Sequence, residues 1–246
     1  MIWDALVLAG GRGSRMNRPE PKPLVPIGGR ALVVHNVLRA LAAGARAVFV
    51  AVHHRGDEIG AHLDRELGDD APVRIVREPV PLGTIGALGL LPAASAAAAP
   101  PPDAVVTING DLLSAIALDE LVAAHRASGA DATIATHAER HQLALGEVVT
   151  DPAGRVTGYR EKPVKEYRIS SGTNAFGSRV AALVEPGVAL GVPELVARAI
   201  ANGYDLREHR HDRAWIDVND VDDVARAATL LAEHRAAFEW RDRPRP

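Results

Sequence analysis

Apolar residues fall in short runs over the first half of the chain, unbroken at residues 5–9 and 47–52 and interrupted only by Arg74 in 73–76 and Thr107 in 104–108. Runs of this length, mostly apolar rather than alternating, predict strands covered on both faces. Between them apolar residues recur at three- and four-residue spacing over 31–43, 58–67 and, interrupted by Pro92, 82–99, which predicts helices. A helix over 119–128 and a strand over 132–137 follow. Gly44, Gly56, Gly68 and Pro72 punctuate the junctions. Alternation of buried strands with helices predicts an α/β fold, a Rossmann-like three-layer α/β/α arrangement around a mostly parallel central sheet.

The pattern changes after about residue 140. Residues 145–149, 155–160 and 169–176 read as shorter strands, with hairpin-turn chemistry in Asp151-Pro-Ala-Gly154. A helix is expected over 193–202, ended by Gly203, then short strands over 206–211 and 214–218 and an amphipathic helix over 221–235. The alanine-rich stretch 93–99 and the three prolines after it read as a helix end and a surface connection. The expected organisation is a single domain: a first half over 1–137, a smaller β-rich part over 138–220 that closes over it, and a C-terminal helix and tail over 221–246.

Composition narrows the function classes. With 246 residues, 47% hydrophobic and 24% charged, the chain has the make-up of a globular protein with a sizeable core. It contains no cysteine, which excludes disulfides and thiolate metal sites. No apolar run approaches the roughly 20 residues of a bilayer span. The start, Met-Ile-Trp-Asp, lacks a basic region and a signal core, so a native start and a cytoplasmic location are expected. A net charge of −3 argues against a general nucleic-acid binder.

Local chemistry is densest right after the first strand, in Leu8-Ala9-Gly10-Gly11-Arg12-Gly13-Ser14-Arg15-Met16, followed by Pro21-Lys22-Pro23. Glycines let the backbone turn tightly, and bare N–H groups in such a turn suit phosphate oxygens. Arg12, Arg15, Arg18, Lys22 and Arg30 stand against one acid, Glu20. A glycine turn followed by fixed cations is what a triphosphate needs. The spacing is not that of a Walker loop. It is not the dinucleotide fingerprint either, because Met16 stands where a third glycine is required.

Four further segments carry candidate chemistry. Asn109-Gly110-Asp111 closes a strand, where α/β sheets gather ligands, and Asp111 there can reach a phosphate-bound cation or simply cap the next helix. Trp215-Ile-Asp217-Val-Asn-Asp220 supplies a second carboxylate, with Asp220 suited to cap the helix from Val221. Glu161-Lys162-Pro163 ends a strand and on its own reads as a surface turn, although a carboxylate can accept from hydroxyls and an ammonium is a point charge for phosphate. Glu78-Pro-Val-Pro-Leu-Gly83-Thr84-Ile-Gly86 follows the third strand. The histidines at 53, 54, 209 and 211 read as solvated or core residues rather than a metal site.

The order strand, Gly-Gly-x-Gly-Ser-Arg, short gap, Pro-Lys-Pro resembles the signature of the sugar-1-phosphate nucleotidyltransferases. Matching segments over 2–30, 78–90, 105–113, 145–176 and 213–230 follow in family order. The resemblance implies transfer of a nucleotidyl group from a nucleoside triphosphate to a sugar 1-phosphate, giving a nucleoside-diphosphate sugar and pyrophosphate, with Mg2+ as cofactor. It makes Arg15, Lys22 and Asp111 the catalytic residues and Asp111 with Asp217 the metal ligands. Leu8, Ala9, Gly10, Gly11, Gly13, Ser14, Glu78, Gly83 and Thr84 would bind the nucleotide. Asn109, Gly146, Glu161, Lys162, Ser170 and Gly172 would bind the sugar phosphate. A carboxylate at Glu78 accepts from guanine N1–H and N2, which leans toward GTP. The chain departs from the family at Asn219-Asp220, where Gly-Thr is usual, and at Thr173-Asn174. Related enzymes acting on phosphocholine- or molybdopterin-type acceptors, and a non-catalytic nucleotide-sugar sensor, are the alternatives. Relatives are often oligomeric, so a homo-oligomer is also expected.

Overall fold

In a computed structural model the chain is described over residues 1–11, 16, 20–68, 70–94 and 100–239. The strands are β1 (Trp3–Leu8), β2 (Pro26–Ile27), β3 (Arg30–Ala31), β4 (Val48–Val52), β5 (Val73–Arg77), β6 (Ala104–Asn109), β7 (Leu112–Ser114), β8 (Ala132–Gln142), β9 (Glu147–Thr150), β10 (Val156–Arg160), β11 (Val164–Gly177), β12 (Leu206–Arg210) and β13 (Trp215–Asp217). The helices are α1 (Leu32–Ala42), α2 (Gly56–Leu67), α3 (Leu91–Ala94), α4 (Leu118–Ser128), α5 (Ser178–Ala181), α6 (Val192–Ala201) and α7 (Val221–Glu233).

Seven strands form the central sheet in the order β12-β8-β11-β6-β1-β4-β5. All adjacent pairs are parallel except those of β11, which runs antiparallel to β6 and β8. The mostly parallel α/β sheet expected from the sequence is what the chain forms. Strand alternation divides the core between the two faces. Ala5, Val7, Val48, Val50, Val106 and Ile108 pack with residues of α1, α2, α4 and α7, while Leu6, Phe49, Ala51, Val105 and Phe176 pack with residues of α5 and α6.

The β-rich second part contributes in two ways. Strands β8, β11 and β12 continue the central sheet, while β9 and β10 form a separate hairpin. Two strands run further than expected: β8 extends past His137 to Gln142, and β11 starts at Val164. Their outer ends pair with each other from Val164↔Gln142 to Ile169↔His137, so partnership rather than burial makes them strands. The helix expected over 82–99 is instead a 3-10 turn, Gly86–Leu90, leading into the single turn of α3; residues 95–99 lie outside the described residues. Gly86 and Gly89 sit against the backbone of Val188 and Val184–Glu185, a close approach that replaces a regular helical face.

Helix α7 begins at a complete capping box. The Asp220 side chain accepts from Asp223 N, and Asp223 Oδ2 accepts from Asp220 N and Asn219 N. The reading of Asp220 as a cap holds.

Candidate functional site

The carboxyl ends of β1 and β6, with the loop after β5, open onto a cavity of about 340 Å³. It is lined by Leu8, Gly10, Gly11, Glu78, Gly83, Thr84, Asn109 and Asp111, all expected ligand-binding residues, together with His53, Pro81 and Leu82. Ala9 is buried behind this wall, its N–H donating to Ala51 O. Gly13, Ser14 and Arg15 lie outside the described residues.

Glu78 organises the cavity floor. Its Oε2 accepts from Leu82 N at 3.0 Å, and its carbonyl lies 3.0 Å from His53 Nδ1. A side chain at position 10 would run into Oε1 at 2.7 Å, so glycine there is what lets the turn after β1 meet this carboxylate. The loop beyond it is pinned from the second half of the chain: Ile85 N donates to Leu190 O, Leu190 N to Leu82 O, and Val192 N to Thr84 Oγ1.

At one edge of the cavity four side chains from distant parts of the sequence converge. Lys22 opens a 3-10 turn flanked by Pro21 and the buried Pro23, which fixes its backbone. Its Nζ donates to Asp111 Oδ2 at 2.9 Å and to Asn219 Oδ1 at 3.0 Å, with the lysine side chain only 12% exposed. Asp217 completes the group. Burial, with the neighbouring Asp111 carboxylate adding to it, raises the Asp217 carboxyl above the usual carboxylate range, while the Asn219 amide and the Lys22 ammonium pull it back. Asp217 Oδ1 is buried with no hydrogen-bond partner among the described residues.

Two antiparallel strands hold the acids in place. β7 directly follows Asp111, and it pairs with β13 from Trp215↔Ser114 to Asp217↔Leu112. Val218 N also donates to Asp111 O at 2.9 Å. Helix α1 clamps β7 from behind, Asn36 Nδ2 bonding Leu112 O and Arg39 NH1 bonding Ser114 O. Asn36 and Arg39 sit one turn apart on a buried helix face, a spacing visible in the sequence but masked there by the apolar residues around it.

The donor set fits a hard divalent cation. No group of three or more His, Cys, Asp or Glu gathers among the described residues. Two carboxylates, one with a buried oxygen that has no partner among the described residues, are the protein share that magnesium takes when phosphate oxygens and water complete its shell.

The expected sugar-phosphate residues separate into two groups. Asn109 and Gly172 meet: Gly172 has φ +64, and a side chain on it would strike Asn109 Nδ2 at 2.7 Å. Gly146 packs against the Tyr159 side chain, just before β9. Glu161 and Lys162 occupy the exposed turn between β10 and β11, where they do not line the cavity. Ser170 is exposed on β11, opposite Thr136.

Two features of the site carry no clear signal in the sequence. Asn219, a departure from the family pattern, is a partner of Lys22. Ser171, the buried neighbour of Ser170, joins a second polar cluster: its Oγ lies 2.9 Å from His137 Nδ1 and 2.6 Å from His211 Nε2. The Trp215 indole donates to Ser171 O, and its ring stands 4.5 Å from that of His137. Among the described residues no helix is long and apolar enough to cross a membrane.

Comparison with known proteins identifies the family. The nucleotidyl transferase family model matches residues 4–234. The chain is 30% identical over 241 residues to a mannose-1-phosphate guanylyltransferase of Mycobacterium tuberculosis, covering 93% of this chain and 64% of that protein. It is 28% identical over 227 residues to the catalytic subunit beta of mannose-1-phosphate guanylyltransferase of Drosophila pseudoobscura pseudoobscura, covering 89% of this chain and 60% of that one. The chain thus spans about three fifths of the length of these curated relatives. Among solved structures it resembles HddC from Yersinia pseudotuberculosis complexed with GMP-PN, with a TM-score of 0.66 and 18% identity over 93% of this chain and 99% of that one. It also resembles a putative glucose-1-phosphate thymidylyltransferase from Bacillus anthracis, with a TM-score of 0.68 and 20% identity over 93% of this chain and 94% of that one. At these identities the two structures share the fold.

Proposed function

Since the chain belongs to the nucleotidyl transferase family, we propose that it transfers a nucleotidyl group from a nucleoside triphosphate to a sugar 1-phosphate, releasing pyrophosphate. The observation that carries this reading is the convergence of Lys22, Asp111, Asp217 and Asn219 beside the cavity of Gly10, Gly11 and Glu78. GTP is the preferred donor, because Glu78 presents a carboxylate oxygen beside Gly10 and guanine offers two adjacent donors. Guanylyltransferases among the relatives point the same way.

In the reaction a phosphate oxygen of the sugar 1-phosphate forms a bond to the α-phosphorus, and the bond from that phosphorus to the pyrophosphate oxygen breaks. The nucleophile is already an anion, so no general base is needed, and rate enhancement comes from positioning and charge neutralisation. Lys22 places a fixed ammonium where the α-phosphate and the attacking phosphate meet. Asp111 and Asp217 would hold Mg2+, which when bound neutralises phosphate charge. The N–H groups of Gly10 and Gly11 face the triphosphate, and Gly172 with Asn109 shapes the acceptor side.

The test is a matrix of nucleoside triphosphates against hexose and heptose 1-phosphates with Mg2+, read as released pyrophosphate. Turnover with GTP above the other triphosphates is the expected result. Nucleotide binding with silence across the whole panel would overturn the proposal in favour of a sensor or a non-sugar acceptor.

A further inference from the structure

Among the described residues the Lys22 ammonium has two hydrogen-bond partners of different kinds. Asp111 Oδ2 is a charged acceptor, and Asn219 Oδ1 is a neutral one. Asp111 is also one of the two carboxylates that fit a divalent cation, so a bound cation and Lys22 compete for the same group. A carboxylate oxygen drawn to a dication is a poorer acceptor for an ammonium, and the two cations repel one another. If Asp111 were the lysine's sole tether, loading the site would push Lys22 away just when its charge is needed on the phosphates.

Asn219 escapes that competition. Its carbonyl is neutral, and its amide lies beside Asp217, so one planar group faces the lysine with its acceptor and the acid with its donor. Its backbone is pinned separately, Asn219 N donating to Asp223 Oδ2 at 2.8 Å within the cap of α7. The anchor is therefore the end of a 13-residue helix, not the cation site itself.

We propose that Asn219 is a positioning residue that retains the Lys22 ammonium in the site when Asp111 turns its oxygens to a bound divalent cation. This rests on the reading of the site given under Proposed function. The retaining contact is the single hydrogen bond to Oδ1, and the cap bonds of Asn219 are made by its backbone. Replacing the side chain therefore leaves the helix cap intact.

The test uses the full chain and two variants, Asn219→Ala and Asn219→Gly, each checked for an unchanged melting midpoint without metal. Acylation of Lys22 by a small acetylating reagent is followed by peptide mass spectrometry at fixed pH, with and without Mg2+. In the unaltered protein Mg2+ should change the Lys22 rate by less than about twofold. In both variants it should raise that rate by about tenfold, the scale of one hydrogen bond to a charged group. The variants should also lose about tenfold in kcat with little change in KM for the triphosphate, the pattern of a contact needed in the transition state. Lys22 acylation that is equally insensitive to Mg2+ in the variants and the unaltered protein overturns the proposal, and so does a kcat retained in both variants. The labelling arm needs no turnover, so it decides the role of Asn219 even if no triphosphate and sugar pair releases pyrophosphate.

Discussion

Two polar clusters flank the short strand β13, and they handle charge in opposite ways. On one side Lys22, Asp111, Asp217 and Asn219 stand at a cavity edge with a carboxyl group whose buried oxygen lacks a partner among the described residues. On the other, His137, Ser171, His211 and Trp215 form a half-buried network in which burial, and then the neighbouring His137 and His209, push His211 down to about 4. The first gathers two carboxyl groups and an ammonium around a buried oxygen with no partner among the described residues. The second links its side chains by hydrogen bonds within the chain, and burial holds His211 in its neutral form. Groups that must meet a charged ligand are left incomplete, whereas groups that hold the scaffold are completed within the chain.

The sharpest way to break this contrast is to remove charge from the first cluster. Lys22→Ala should lower kcat by about 10²–10³, the scale for one oriented charge-stabilising donor, and Asp111→Asn should do at least as much. A folded variant of either with near-normal pyrophosphate release would show that the cluster is scaffold like its neighbour.

The second cluster should answer to acid instead. Between about 4 and the ordinary value of 6.5 the unfolded chain holds a proton on His211 that the folded chain does not. Stability is therefore complete above that window and is lost as pH falls through it. His35 and His125, also pushed down by burial, act in the same direction. The melting midpoint should drop by several degrees on acidification across this window, and His211→Asn should flatten the slope. Identical slopes for the two proteins would detach His211 from the effect.

The smallest effect returns to the first cluster. Asp217 is raised by burial and by Asp111, so above its own titration the ionised group destabilises the metal-free fold. Asp217→Asn should raise the metal-free midpoint by about 2–4 °C, the equivalent of about 1 kcal/mol in a chain of this size, and should abolish any further rise on adding Mg2+. A lower midpoint would mean that the carboxylate serves the scaffold after all.

The contrast also explains what could be read from the sequence. Parallel strands announce themselves as mostly apolar runs, so β1, β4, β5 and β6 were legible to within a residue or two, although β5 at the sheet edge carries Arg74 and Arg77. Lys22, Asp111 and Asp217 stand out because they carry charge at loop and strand ends, and the structure brings them together. β7 was not legible, because three residues followed by more apolar chain give no periodicity to detect. The outer ends of β8 and β11 were missed for a different reason, since their polar alternation is that of a ribbon exposed to solvent. Asn219 and Arg39 were hidden by chemistry. An asparagine in a turn reads as a turn former. A fully buried arginine, with burial pulling it down to about 9, is invisible until the carbonyl it holds is known.

The placement of Trp215 has an optical consequence. Its indole lies against the His137 imidazole in the cluster that holds His211, and the same short strand carries Asp217 two residues on. Of the two other tryptophans, Trp3 is buried at the far end of β1 and Trp240 falls outside the described residues. Intrinsic emission is thus a built-in gauge of the strand that joins both clusters, and unlabelled protein can be titrated with acid or with Mg2+ to watch each of them respond.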